Sequence, residues 1–196
     1  MLVADGAFVV ISNTVAAHPH GDCFAFKGGT IEFVGNSVGD NTLVVMGTSG
    51  RDIVDVAATT GNITVTTPVG AYVELRNDNI DNLEIETLEG DDDVNLVFPL
   101  SVFSSIRVNG GDPSASDLLT IEAGSGRITP SSSEPAETII SGLGAGNPDV
   151  VTTGIEHILF DGIGSAADLT VDLGNGMATA RVSKRAWTYS TRRAAN

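Results

Sequence analysis

Asp52, Asp91, Asp92, Asp93, Asp112 and Asp117 sit where sharp chain reversals would present their carboxylates as ligands. Asp52 lies in Gly47-Thr48-Ser49-Gly50-Arg51-Asp52-Ile53-Val54-Asp55, which fits the pattern G-x-x-G-x-D-x-U-x, with U a large aliphatic residue. The glycines let the backbone turn, the aspartate offers a hard oxygen at the corner, and the aliphatic residue enters a narrow core. Weaker copies occur elsewhere. Val38-Gly39-Asp40-Asn41-Thr42-Leu43 has asparagine in place of the aspartate, and Glu89-Gly90-Asp91-Asp92-Asp93-Val94-Asn95-Leu96 lacks the first glycine pair. Gly110-Gly111-Asp112-Pro113-Ser114-Ala115-Ser116-Asp117-Leu118-Leu119 reads as the same turn stretched by an insertion. Hard oxygens at such corners suit Ca2+, which takes about six to eight of them, so backbone carbonyls and water would have to complete each site. The triple aspartate is the strongest candidate, because three adjacent carboxylates are costly to leave unneutralised. The rival reading needs no ion: aspartate, asparagine and glycine make good β-turns through side-chain to backbone hydrogen bonds.

The elements that would position these corners are short strands. Ile53-Val54-Asp55-Val56, Asn62-Ile63-Thr64-Val65-Thr66, Ala71-Tyr72-Val73-Glu74-Leu75, Asn82-Leu83-Glu84-Ile85-Glu86, Val94-Asn95-Leu96-Val97 and Ser105-Ile106-Arg107-Val108 mostly alternate apolar with polar residues. That alternation marks strands with one buried face. Gly50, Gly70, Gly90 and Gly110 recur at a constant step of 20 residues. Two strands and two turns per step predict an all-β chain, wound as a parallel β-helix or β-roll-like solenoid with coils of about 20 residues. An antiparallel β-sandwich is the structural alternative. Composition agrees with either: 23 glycines, aromatics at 5%, and apolar stretches filled by Val, Ile and Thr.

A net charge of −15 argues against nucleic acid as a partner, since phosphate binding needs a basic surface. The single cysteine, Cys23, allows no intrachain disulfide. No apolar run is long enough to insert into a membrane, and Met1-Leu2-Val3-Ala4-Asp5-Gly6 lacks a basic leader, which suggests a piece processed from a larger protein. Three regions follow: an irregular N-terminal lead-in or cap at 1–38, a repeat region at 39–175 with a loop excursion at 126–137, and a basic tail at 176–196. In the tail, Arg181, Lys184, Arg185, Arg192 and Arg193 stand with Trp187 and Tyr189, a combination that could pair with acidic corners of a second copy and drive self-association.

Other chemistry is sparse. His18, His20, Asp22 and Cys23 have the donor types for zinc, although a short loop is the plainer reading. His157 reads as a packed or edge histidine grouped with Ile155 and Leu159 on one strand face. Glu84 and Glu86 share a strand face, as acids acting on a polysaccharide would, but the acids are spread along the chain and no catalytic set is expected.

Gly47–Val56, the stretch from Ile80-Asp81-Asn82 through Asp93-Val94, and Val108-Asn109-Gly110-Gly111-Asp112 resemble units of hemolysin-type calcium-binding (RTX-like) and related β-solenoid arrays of large bacterial surface proteins. Val151-Thr152-Thr153-Gly154-Ile155-Glu156-His157-Ile158 resembles a strand that recurs in the same proteins. The resemblance covers residues 36–125, with a weaker echo to 175. It implies a non-catalytic, extracellular or cell-surface structural or adhesive segment, calcium-stabilised and able to meet a surface polysaccharide. The wider spacing here implies isolated corner sites in place of a continuous ladder of calcium ions. A polysaccharide-active β-helix enzyme or carbohydrate-binding module is the functional alternative, and an intracellular binding module a third reading.

Overall fold

The structure, a computed structural model, describes residues 2–5, 9–12, 24–34, 41–68, 72–111, 116–131, 136–162, 168–171, 179–182 and 187–190. The chain is all-β: two mixed sheets, of 11 and 7 strands and neither closed, share one apolar core. Both carry a block of four parallel strands. In the smaller sheet these are β4 (Thr42–Met46), β8 (Asn82–Glu86), β10 (Ser105–Asn109) and β14 (Val150–Thr153). In the larger sheet they are β5 (Ile53–Val56), β9 (Asp93–Val97), β11 (Leu118–Ala123) and β15 (His157–Gly162). The chain crosses from one block to the other at every pass, so that β4 leads to β5, β8 to β9, β10 to β11 and β14 to β15.

Alternation decides which side of each strand is buried. Leu83 and Ile85, Ile106 and Val108 point inward from one block, and Val94 and Leu96, Leu119 and Ile121 from the other, all within 1% of full burial. At about 25 cal/mol per Å² of apolar surface, this shared core is the main stabilising term of the fold. The intervening residues form outward rows that run from strand to strand. One such row joins Asp55 to Asn95 at 2.7 Å, and another joins Ser105 to Asn82 at 2.6 Å.

The remaining described strands are added at the margins. β6 (Ile63–Thr66) and β7 (Tyr72–Asp78) fold back antiparallel on β5 and on each other. β7 then pairs in parallel with β3 (Phe24–Val34), which also carries β1 (Leu2–Asp5) and β2 (Val9–Ser12). On the other side, β12 (Ser125–Pro130) and β13 (Thr138–Ser141) form an antiparallel pair, β13 lies against β14, and β16 (Asp168–Val171) lies parallel to β12. β17 (Thr179–Val182) and β18 (Trp187–Ser190) pair antiparallel, with β18 against β15.

These additions break the expected step of 20 residues. Corresponding corner residues Asp52, Asp92, Asp117 and Glu156 are separated by 40, 25 and 39 residues, because β6–β7 and β12–β13 are inserted into two of the passes. The even glycine spacing therefore does not measure a coil. Gly50 and Gly90 do face each other across neighbouring passes, since a Cβ on Gly90 would lie 2.8 Å from the Gly50 carbonyl carbon. Gly110 occupies a different place, against Gly154 and Asp117, and Gly70 lies outside the described residues. The 126–137 excursion begins as strand and not loop, with Arg127 to Pro130 paired to Thr138 to Ser141.

Candidate functional site

The corner that joins the two parallel blocks gathers the chemistry. One acid stands immediately before each of β5, β9, β11 and β15: Asp52, Asp92, Asp117 and Glu156. The backbone N–H of Asp52 donates to Asp92 Oδ1 at 2.6 Å. The N–H of Asp92 donates to Asp117 Oδ1 at 2.9 Å, and the N–H of Asp117 donates to Glu156 Oε2 at 3.0 Å. The carbonyls continue the same stitching: Asp93 N–H donates to the Asp52 carbonyl, Leu118 N–H to that of Asp92, and His157 N–H to that of Asp117. The result is a column of carboxylates in which Asp92, Asp117 and Glu156 each receive the amide of the pass before. Asp52, Asp92 and Asp117 are 0, 1 and 0% exposed.

The turn geometry explains why glycine recurs beside the column. Asp52 Oδ2 accepts from the Thr48 N–H at 2.5 Å and from its hydroxyl at 3.0 Å, closing its own turn. A Cβ on Gly47 would lie 2.8 Å from that same oxygen. A Cβ on Gly110 would stand 2.6 Å from Asp117 Oδ2 and 2.4 Å from the Gly154 carbonyl oxygen. Gly111 is tighter still: with φ at +84° its Cβ would lie 1.7 Å from the Leu88 carbonyl oxygen. Thr87, fully buried, directs its hydroxyl at the Gly110 carbonyl at 3.3 Å.

One oxygen of each aspartate is left over. Asp52 Oδ1, Asp92 Oδ2 and Asp117 Oδ2 are buried without a hydrogen-bond partner. Burial pushes the Asp117 carboxyl up to about 7; the Asp92 N–H opposes this, and the negative charges of Glu156, Asp92 and Asp91 add to it. Burial likewise raises Asp92 above the ordinary carboxylate range, opposed by the Asp52 N–H and reinforced by the negative charges of Asp52 and Asp93.

The outward side of the same corner is different. Arg51, Asp91, Asp93, Ser116, Leu118 and His157 line an open groove of about 480 Å³. There Arg51 is ion-paired with Asp93, and Asp91 Oδ1 accepts the Ser116 N–H at 3.0 Å.

The aspartates expected to bind calcium are thus divided. Asp52, Asp92 and Asp117 form the column; Asp91 and Asp93 face the groove; Asp112 lies outside the described residues. Calcium takes about six to eight oxygens, and among the described residues no group of three or more His, Cys, Asp or Glu side chains converges to hold a metal ion.

Glu156 and the groove are what the sequence reading passed over. Gly154-Ile155-Glu156-His157-Ile158 repeats the G-x-D-x-U frame of Gly50 to Val54 and Gly90 to Val94 with glutamate for aspartate, and that substitution is the signal that would have found it. His157 is exposed toward the groove, while Ile155, Ile158 and Phe160 turn inward, so the expected grouping of His157 with Ile155 does not hold. His18, His20, Asp22 and Cys23 fall outside the described residues. Glu84 and Glu86 do share the outward face of β8, where Glu84 neighbours Arg107 and Val44 in the register. In the basic tail, Arg181, Trp187 and Tyr189 belong to paired strands, and Lys184, Arg185, Arg192 and Arg193 lie outside the described residues. No protein-family model, curated protein or solved structure matches the chain.

Proposed function

We propose that the chain is a non-catalytic structural or adhesive segment of an extracellular or cell-surface bacterial protein, built on a short β-solenoid. Its four coils are β4–β5, β8–β9, β10–β11 and β14–β15, with the β6–β7 and β12–β13 pairs as outgrowths. The carboxylate column carries this reading, because each coil's corner amide is received by the next coil's acid, as in a stack whose members recognise their neighbours. The parallel blocks support it too. Parallel sheets are ordinarily covered on both faces, yet here the outer rows carry Asp55, Asn82, Glu84, Asn95, Ser105 and Thr120, interspersed with apolar residues such as Val44 and Met46, all at least partly open to solvent. Such rows suit a surface that meets polysaccharide or neighbouring protein by hydrogen bonding. Self-association through the basic tail belongs to the same reading.

The test is a panel of neutral and acidic polysaccharides, scored for new reducing ends and for retention of protein-coated beads. Retention without product is the expected result. Product release that is lost on Asp93→Asn or His157→Ala would overturn the proposal in favour of the one alternative with an observation behind it, an enzyme working in the Arg51–His157 groove.

A further inference from the structure

Topology divides the cations of the basic tail. β18 runs antiparallel to β15 with Ser190 opposite His157, which opens β15 and lines the outer groove. The other groove residues stand at the same end of their strands. Asp93 and Leu118 open β9 and β11, and Arg51, Asp91 and Ser116 come two residues before β5, β9 and β11. Arg192 and Arg193 therefore follow the end of β18 that meets the groove, in the segment 191–196 outside the described residues. Lys184 and Arg185 belong to the 183–186 connection, which joins the opposite ends of β17 and β18.

The groove has the charge and the free acceptors to receive an arginine pair. Asp91 and Asp93 line it against a single arginine, Arg51, which is ion-paired with Asp93 Oδ2. Asp91 Oδ1 accepts the Ser116 N–H; among the described residues, Asp91 Oδ2 and Asp93 Oδ1 receive no donor. A guanidinium offers five N–H donors in a planar fork that matches such carboxylates. At about 480 Å³ the open groove has room for one. Reach is sufficient too. Neighbouring strands are about 4.8 Å apart, so β18 lies about 14 Å from β9 across β15 and β11. An extended chain advances about 3.3–3.6 Å per residue, which carries the backbone about 10 Å from Ser190 by Arg193. The long arginine side chain covers the remainder. A short tether also gives an effective concentration on the order of 1 mM, so the chain's own arginines compete well against those of a second copy.

We propose that residues 191–196 are the occupant of the groove: in each chain, Arg192 and Arg193 pass outside β15 and β11 and pair with Asp91 and Asp93. The inference rests on the pairing of basic tail with acids that the proposed function includes. It deepens that reading by naming the acid surface, and by placing the chain's own groove ahead of a second copy's. A segment held there closes the groove to other ligands, and self-association through these two arginines requires its release.

Nuclear magnetic resonance on the labelled whole chain tests it, against Arg192→Gln/Arg193→Gln and Lys184→Gln/Arg185→Gln. Spectra are recorded in chelator at two protein concentrations, both far below the effective one, with sedimentation run alongside. The first variant should shift the amide resonances of Asp91, Asp93, Ser116, Leu118 and His157 equally at both concentrations. The second should leave them in place, and every sample should sediment as a monomer. Salt at about 1 M, where the Debye length is about 3 Å, should move the native shifts toward those of the first variant. An equal response to both variants would reduce the contact to general screening and overturn the proposal. Groove shifts that appear only as concentration rises, in step with a dimer boundary, would overturn closure within one chain and leave the second copy as the tail's partner. Groove resonances indifferent to both variants, with monomers throughout, would overturn the closure and the tail's part in self-association together.

Discussion

Asp92 and its two neighbours, Asp91 and Asp93, share a residue type and a stretch of chain but have opposite fates. Asp92 is buried, receives the Asp52 amide, and has its carboxyl raised by burial. Asp91 and Asp93 face an open groove, where one accepts the Ser116 amide and the other pairs with Arg51. Strand alternation makes the division, because consecutive side chains near the start of β9 point to opposite faces. A run of acids is therefore not one site. Its middle member serves the stack, and its outer members serve the surface.

If that contrast is right, the inner side of the corner should tolerate much less change than the outer side. The largest effect is expected at Gly111→Ala, where a Cβ would strike the Leu88 carbonyl and φ is +84°. A loss of about 3 kcal/mol is expected in urea unfolding followed by far-ultraviolet circular dichroism. Next comes Asp92→Ala, which leaves the buried Asp52 amide without its acceptor and should cost about 1–3 kcal/mol. Asp92→Asn retains an acceptor and should lose less than half as much in the same assay. A common loss for the two would break the distinction between hydrogen bonding and charge in the column. Arg51→Ala should leave the urea midpoint unchanged, because the Arg51–Asp93 pair is exposed to solvent and screened by salt. A drop as large as that of Asp92→Ala would show that the outer acids also hold the stack together.

The strands were legible because alternation is a local property. Asn82-Leu83-Glu84-Ile85-Glu86 and Ser105-Ile106-Arg107-Val108 bury the apolar positions that their pattern indicates. The corner aspartates were legible in part: the frame G-x-D-x-U singles out Asp52 and Asp92, and its glutamate variant singles out Glu156. What the residues do there was harder to read. A turn aspartate that captures its own loop and one that captures the amide of a segment 25 or 40 residues away look alike in sequence. The spacing between successive parallel strands was not legible, because β6–β7 and β12–β13 have the same alternation as the strands of the parallel blocks. Nothing local says whether such a strand continues the stack in parallel or turns back. Only the partner reveals it, and partners are a long-range property. The groove was missed for the same reason, since Arg51, Asp93 and His157 come from three different passes.

The most direct test is a scalar coupling measured across the hydrogen bonds of the column. Nuclear magnetic resonance on labelled protein should show transfer from the Asp52 amide nitrogen to the Asp92 side-chain carboxyl carbon, and from the Asp92 amide nitrogen to that of Asp117. Both couplings, with slow exchange at both amides, are the expected result. Rapidly exchanging Asp52 and Asp92 amides that couple to neither carboxyl would contradict the stacked corner on which the account depends.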